Sequence, residues 1–342
     1  MTELSFRLLR LLADGDFHSG AALGRALGVS RGTIWNAVRA LESADLEVYK
    51  VRGRGYKLSE PVSLLDAGKI GRSAVAHASR LAIEVLDMAG STSTLLMQRV
   101  GAGAPGGVVI ATEWQQSGRG RMGRPWHAGL GRALTFSMLW RFTQGAGAMA
   151  GLSLAVGVAV VRALNQLGAQ DVKLKWPNDV LWRGQKLAGM LIEMQGDALG
   201  PSAVVIGIGL NVRLSDAMRA SIDQSAADVE TACGRALDRS DVLGRVLDHL
   251  VQVLDAFSEA GFAPLRAEWE RHHAYQGQTI VIKLPTGKTE EGVALGVAED
   301  GALLFQAGLA VRRLHSGEIS VRALHPAAAS KERGNARARR RA

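Results

Sequence analysis

The chain has 342 residues, 47% of them hydrophobic, with 41 Lys and Arg against 32 Asp and Glu for a formal net charge of +9. That length allows two or three domains with a sizeable core. A single cysteine, Cys233, excludes an intramolecular disulfide and points to a reducing compartment. The N-terminus carries an early Glu3 and no long apolar run, unlike a secretory signal, so a cytoplasmic location is expected. Six Lys and Arg against one Glu between Lys331 and Ala342 supply +5 of the charge. This apolar-poor tail, placed at 324–342, is expected to be disordered.

In chain order, "SFRLLRLLADGDF" has the spacing of an amphipathic helix with Leu4, Leu8 and Leu11 on one face. The next stretch, residues 18–46, reads as a helix, a turn at Gly28-Val29 and a second helix capped by Ser30. In the second helix Ile34, Val38 and Leu41 share an apolar stripe, while Arg31, Trp35, Asn36 and Arg39 face the other way. This is the layout of a helix-turn-helix whose second helix enters the major groove. "EVYKVRGRGYKLSEP" adds two short strands joined as a wing with Arg52 and Arg54 at its tip. Ser30, Arg31, Thr33, Trp35, Asn36, Arg39, Arg52 and Arg54 are the candidate DNA contacts. A unit of this kind can also serve as a protein-docking module.

A boundary is expected near residue 64. Residues 65–272 alternate six strand-like runs with helical stretches around 91–101, 148–168 and 240–260, which predicts a mixed or antiparallel sheet covered by helices. The uncharged run Gly145–Val161 is rich in Gly and Ala and stands alone, so it reads as a buried helix and not a membrane span. Residues 273–323 contain short strands separated by Thr-Gly, Asp-Gly and Ala-Gly turns, read as a small β-barrel or sheet. The fold class is α+β.

Several segments carry candidate chemistry. "SGRGRMGRPW" (117–126) is a solvated or nucleic-acid-binding basic loop, or a loop that closes over a phosphate-bearing ligand. In "VVIGIGLNV", Val205, Gly207, Gly209 and Asn211 share one strand face, and the glycines leave a slot for a flat ligand or for close packing of a helix. In "KLKWPNDVLWRGQKLAGMLIE", Lys173 and Lys175 share a cationic face, and Pro177 breaks the strand. Asn178-Asp179 follow in a turn where Asp can meet a metal and Asn a polar ligand. Lys186 opens an apolar strand as either a snorkelling edge residue or a site residue. "AGSTST" (89–94) offers a helix N-cap or hydroxyls for a carbonyl or carboxylate ligand. His272-His273 lack partners at metal spacing and read as surface. The sequence has no Walker-type loop, Cys/His metal cluster or nucleophile elbow.

"GRGRMGR-PW", "KWPNDV", "KLAGMLIE" and "GIGLNV", in this order behind a winged helix-turn-helix, closely resemble the bifunctional biotin–protein ligase and biotin-operon repressor family, to about residue 323. The resemblance implies a central sheet like that of class II synthetases and biotinyl/lipoyl ligases. It implies ATP, biotin and Mg²⁺ as cofactors and substrates, biotinyl-5′-AMP as intermediate, and the biotin carboxyl carrier protein of acetyl-CoA carboxylase as acceptor. Operator DNA and an adenylate-dependent homodimer are implied as well, with no membrane partner.

By the same resemblance Ser91, Thr92, Ser93, Gln115 and Gly118 would line the biotin end with Gly207 and Gly209. Arg119, Gly120 and Arg121 would close over the ligand, and Lys186 would sit by the reacting groups. Arg119, Arg121 and Lys186 are the expected catalytic cations. Arg124, Trp126, Lys175, Asn178 and Asn211 would hold the nucleotide, with Trp126 on adenine and Asp179 on Mg²⁺. Ser93 stands where the family often has Asn, and Met122 where a second basic residue is expected. A lipoate–protein ligase and a metabolite-sensing transcription factor are the rival readings. Arg119, Arg121 and Lys186 speak against the sensor, which need not retain groups that promote transfer.

Overall fold

The computed structural model describes residues 1–126, 128–197, 199–222, 224–284, 286–315 and 320–323; the expected basic tail lies outside them. Helices α1 (Glu3–Leu12), α2 (Gly20–Leu27) and α3 (Arg31–Glu42) are followed by the hairpin β1 (Val48–Val51) and β2 (Gly55–Leu58). The caps are local: Thr2 and Ser5 form a capping box, Ser19 and Ser30 cap α2 and α3, and Gly28 ends α2 in the left-handed region. The inward face of α1 is centred on Phe6, Leu8, Leu9 and Leu12, with Leu4 and Leu11 at its rim. That places the stripe about one residue away from the expected Leu4/Leu8/Leu11 line. Gly55, at φ +105°, passes so close to His18 that a Cβ would strike its carbonyl oxygen, and His18 and Tyr56 there exchange two backbone hydrogen bonds of 2.9 Å. This contact ties the wing to the helices.

The central body begins with α4 (Ala67–Ser73), β3 (Ala82–Ala89), α5 (Thr92–Gly101), β4 (Val108–Gln115) and β5 (Ala133–Phe142). It continues through α6 (Leu152–Gln166), β6 (Val172–Lys175), β7 (Asp179–Trp182), β8 (Gln185–Gly196) and β9 (Ser202–Asn211). Helices α7 (Asp216–Ser221), α8 (Val229–Cys233), α9 (Arg239–Ala260) and α10 (Ala263–His272) complete it. Seven strands form one mixed sheet in the order β3-β4-β5-β9-β8-β7-β6, parallel only between β3 and β4. Strand β7 was not expected: Asp179 opens it, where the sequence reading continued the turn. Residues of α6, α9 and α10 bury one face of the sheet in the main core, while α5 covers only part of the other. The Gly/Ala-rich run is the buried α6, and no described helix is long and apolar enough to cross a membrane.

Strands β10 (Thr279–Lys283), β11 (Thr289–Val297), β12 (Leu303–Ala307), β13 (Ala310–Leu314) and β14 (Ser320–Ala323) form an antiparallel sheet in the order β13-β12-β11-β10-β14. Among the described residues β13 and β14 do not pair, so this piece is an open sheet and not a closed barrel. It shares the main core through Ile280, Ile282, Phe305 and Val321, and Trp176 Nε1 donates to the Gly301 carbonyl at 3.0 Å. His273 is 6% exposed, not a surface residue. It stacks on Trp269 at 4.6 Å and bonds Gln276 at 3.0 Å, and burial lowers its pKa.

The winged unit keeps its own core, with Leu130 of the central body added, and the two cores divide between Leu64 and Leu65. A buried ion pair fixes the junction. Arg239, 2% exposed at the start of α9, donates to the Ser63 and Ala133 carbonyls and to Glu113 of β4, itself 5% exposed. The other carboxylate oxygen of Glu113 accepts the Leu65 amide. Arg10–Asp87, Arg213–Glu60 and Ser215–Asp45 tie the units at the surface. Removing one member of a buried pair leaves an unpaired charge, at about 3–5 kcal/mol. Arg239→Met is therefore expected to lower the urea-unfolding free energy by about that amount, with Arg239→Met/Glu113→Leu recovering only part of it, because the Ser63 and Ala133 carbonyls and the Leu65 amide lose these partners.

Candidate active site

The cleft lies on the sheet face that α5 leaves open. Under α5 this face is apolar, with Ile110, Leu139 and Val205 packed against Leu96 and Val100. Beyond the helix start the same rows turn small. Ser137 pairs with Gly207 and Thr135 with Gly209, and Gly209 pairs in turn with Gly189 of β8. Gly189 continues the row through Asp179 to Lys175. One ladder across five strands thus runs from two charged side chains over two glycines to a threonine. The result is a cavity of about 550 Å³, large enough for a nucleotide-sized ligand.

At one end, Ser91 caps α5 by accepting the Thr94 amide at 3.3 Å. Thr92 donates its amide to Gln115 Oε1 at 3.0 Å, and its hydroxyl lies 2.7 Å from Ser137 Oγ. Ser93 Oγ lies 3.0 Å from the same oxygen and fills the space over Gly207, where a Cβ would approach it to 2.7 Å. These buried hydroxyls and the Gln115 amide form a neutral, hydrogen-bonding end suited to an uncharged polar group.

The glycine-arginine loop folds back over the cleft. Gly120 N donates to the Arg124 carbonyl at 2.7 Å and Trp126 N to the Gly118 carbonyl at 2.9 Å. Arg119 reaches Thr94 Oγ1 at 2.9 Å and Glu193 at 3.6 Å. Gly118 does not line the cavity; it closes the loop's hairpin. The indole of Trp126 lies on Gly209 so closely that a Cβ there would overlap the ring, and Lys186 Nζ is 5.8 Å from the ring centroid. The slot left by the glycines is therefore floored by the protein's own side chains. Trp126 Nε1 is buried without a hydrogen-bond partner among the described residues.

The other end is cationic. Arg119, Arg121, Arg124, Lys175, Lys186 and Arg322 line the cavity against one carboxylate, Asp179, among the described residues. Lys186 Nζ is 2.7 Å and Lys175 Nζ 3.9 Å from Asp179. Burial is the largest effect lowering the pKa of Lys175, with Lys186, Arg322 and Arg124 adding repulsion against the pull of Asp179. Burial likewise lowers that of Arg121, which Asp179 partly restores. Desolvated cations in excess of their counter-charge hold a standing attraction for a polyanion.

Two expectations change here. Asn211 does not line the cavity: its Nδ2 donates to the Ala227 carbonyl at 3.1 Å and lies 3.4 Å from that of Lys186, which fixes the start of β8. Asn178 does line it, although its Nδ2 is spent on the Met190 carbonyl at 2.6 Å. Asp179 was expected on Mg²⁺, but its carboxylate is flanked by two ammonium groups. No group of three His, Cys, Asp or Glu among the described residues converges to hold a metal. A hard dication requires several oxygen ligands and is repelled by those lysines, so these residues do not fit a resident ion. Arg322, Val321, Thr135, Ser137 and Gly189 line the cavity without having been expected. Gly189 and Ser137 were detectable by strand alternation, whereas Arg322 lies in "SVRA", where no motif marks it.

The helix-turn-helix places Arg31, Trp35, Asn36, Arg39, Arg52 and Arg54 on its exposed surface. The Ser30 hydroxyl, on the same exposed surface, caps α3 by accepting the Thr33 amide at 3.2 Å and lies 2.9 Å from Thr33 Oγ1.

A winged helix-turn-helix thus precedes a mixed sheet whose open face carries a cleft with a neutral end and a cationic end. Residues 85–211 match the biotin/lipoate A/B protein ligase family and residues 5–57 an HTH domain. The chain is 36% identical to the bifunctional ligase/repressor BirA of Escherichia coli (strain K12) over 92% of this chain and 96% of that protein. It is 32% identical to the biotin--[acetyl-CoA-carboxylase] ligase of Mycobacterium tuberculosis over 69% of this chain and 88% of that one. A biotin protein ligase structure from Aquifex aeolicus, in complex with biotin and ATP, matches with a TM-score of 0.61 at 26% identity, covering 71% of this chain and 99% of that one. The chain belongs to the bifunctional biotin ligase/repressor family and is a ligase.

Because the Trp126 ring occupies the space a Gly209 side chain would need, Gly209→Val is expected to expel it. Tryptophan emission should shift to the red, and the shift should vanish in a Trp126→Phe background.

Proposed function

We propose that this ligase activates biotin with ATP to biotinyl-5′-AMP, releasing pyrophosphate, and passes the biotinyl group to a lysine of the biotin carboxyl carrier protein of acetyl-CoA carboxylase. The observation that carries this reading is the division of one cavity into a neutral hydroxyl-lined end and an end where, among the described residues, Arg121, Arg124, Lys175, Lys186 and Arg322 gather around one carboxylate, Asp179. The biotin ring system takes the first, beside Thr92, Ser93 and Gln115, and the triphosphate takes the second.

In the first step a biotin carboxylate oxygen attacks the α-phosphorus, forming the mixed anhydride, and the bond to pyrophosphate breaks. Two anionic groups must meet, so fixed cations at the reacting centre lower the barrier. Lys186, now on Asp179, exchanges that partner for the substrate oxygens, and Arg121 and Lys175 share the charge. In the second step the carrier's neutral lysine amine attacks the acyl carbon, AMP leaves, and the amine gives up its proton. The folded-back glycine-arginine loop excludes water from the anhydride between the steps.

The exposed arginines of α3 and the wing support operator binding by the N-terminal unit. We read the adenylate-bound form as the corepressor complex, pairing as a homodimer so that two recognition helices reach two half-sites. Analytical ultracentrifugation with and without biotin and ATP tests the pairing.

Purified protein with ATP, Mg²⁺, labelled biotin and an isolated acceptor domain is expected to label the acceptor. Labelled lipoate in its place should give none. Arg121→Gly is expected to release the adenylate, labelling lysines of a bystander protein. Lys186→Met should lower the single-turnover rate of adenylate formation by about 10²–10³-fold with the melting temperature unchanged. An unlabelled acceptor with wild-type protein, alongside biotin-dependent DNA binding, would establish a sensor in place of an enzyme.

A further inference from the structure

On α3, Trp35 stands 45% exposed while Ile34, Ala37 and Val38 beside it are buried. One turn later, the guanidinium carbon of Arg39 lies 4.9 Å from the indole centroid. At the wing, Arg54 repeats the arrangement, 4.1 Å over Phe17. Among the described residues Arg31, Arg39, Arg52 and Arg54 have no acidic partner within 4 Å; Arg7, Arg25 and Arg183 share that condition, but on this face four such arginines stand on the two elements of one winged unit. The winged face therefore presents cations without counter-charge, and two of them are held on aromatic planes.

Stacking matters for what such an arginine can read. A guanidinium lying on an indole has its plane fixed and its N–H edge turned outward, so less freedom is lost when it forms two hydrogen bonds. In the major groove, guanine presents the N7/O6 acceptor pair that suits an arginine fork, and thymine alone presents a methyl group. A helical turn rises 5.4 Å, between one and two base-pair steps of about 3.4 Å.

We propose that Trp35 and Arg39 act as one reading unit for a thymine and a nearby guanine: the indole packs on the thymine C5-methyl, and Arg39, held by the indole, takes the guanine N7 and O6 one or two base pairs away. The proposal rests on the reading of α3 as the major-groove helix. It adds a base preference and gives the exposed tryptophan the task of orienting the arginine.

The test uses the full chain with biotin, ATP and Mg²⁺. Duplexes enriched from a random pool define the wild-type site. Each thymine of that site is then replaced singly by deoxyuridine, which removes only the methyl, and each guanine by 7-deazaguanine, which removes only N7. One deoxyuridine position is expected to weaken wild-type binding about fourfold, the value of one buried methyl, and to have no effect on Trp35→Ala. One 7-deazaguanine position nearby should cost the wild type at least about fivefold, less in Trp35→Ala, and nothing in Arg39→Met. Melting temperatures like the wild type's certify that the variants keep the helix. If no deoxyuridine effect is lost with Trp35, the reading unit is overturned while DNA binding stands. A shift in self-association of Trp35→Ala without any methyl effect also overturns it and makes the patch a contact between copies. If the pool yields no bound duplex, the DNA-binding reading itself fails.

Discussion

Glu113 and Arg239 meet where three parts of the molecule converge: strand β4 of the central sheet, the first residue of α9, and the chain leaving the winged unit. A guanidinium and a carboxylate removed from water are tolerable only if nearly every donor and acceptor is used. Here the backbone at Ser63, Leu65 and Ala133 uses them. The charge pair itself contributes little net stability compared with an apolar replacement, but with its backbone partners it admits one arrangement of linker and sheet. Glu113 lies two residues from Gln115, which receives the Thr92 amide at the neutral end of the cleft. The strand that anchors the DNA-reading unit is thus the strand that shapes the ligand pocket.

The cleft obeys a second constraint, set by the sheet. Any side chain larger than a hydroxyl on the Ser137–Gly207 and Thr135–Gly209 pairs would fill the space, so these rows hold glycine, serine and threonine, while the charged side chains that this sheet gives the cavity stand on β6, β7 and the start of β8. Asp179 gains its importance from that placement. Beside one carboxylate, Lys175 and Lys186 can be held close together before a ligand arrives. Once phosphate oxygens take over, the ladder needs no large rearrangement to present both ammonium groups.

Features governed by neighbouring residues were legible in the sequence. Serine caps, the Gly28 turn and the alternation of Val205, Gly207, Gly209 and Asn211 depend on nothing further than one turn or strand. The same local logic failed where a partner lay far along the chain. Asn211 shares a face with the glycines, yet the Ala227 carbonyl claims its amide. His273 looked like surface because its burial comes from Trp269 and the packed sheet. The four-residue β7 follows a proline so closely that it reads as turn, and only pairing with β6 and β8 defines it. Arg322 joins the cavity through a strand that carries no motif.

The spread of those contributions has a temporal side. The winged unit closes its core almost wholly within residues 6–58, through contacts between neighbours in the chain. The cavity takes walls from Ser91 through Arg322, and its last wall belongs to the final described strand. Domains form as units, earlier ones first during synthesis, and distant contacts assemble more slowly than local ones. The topology therefore orders maturation: the DNA-reading surface is complete while the chemical centre is still waiting for β14.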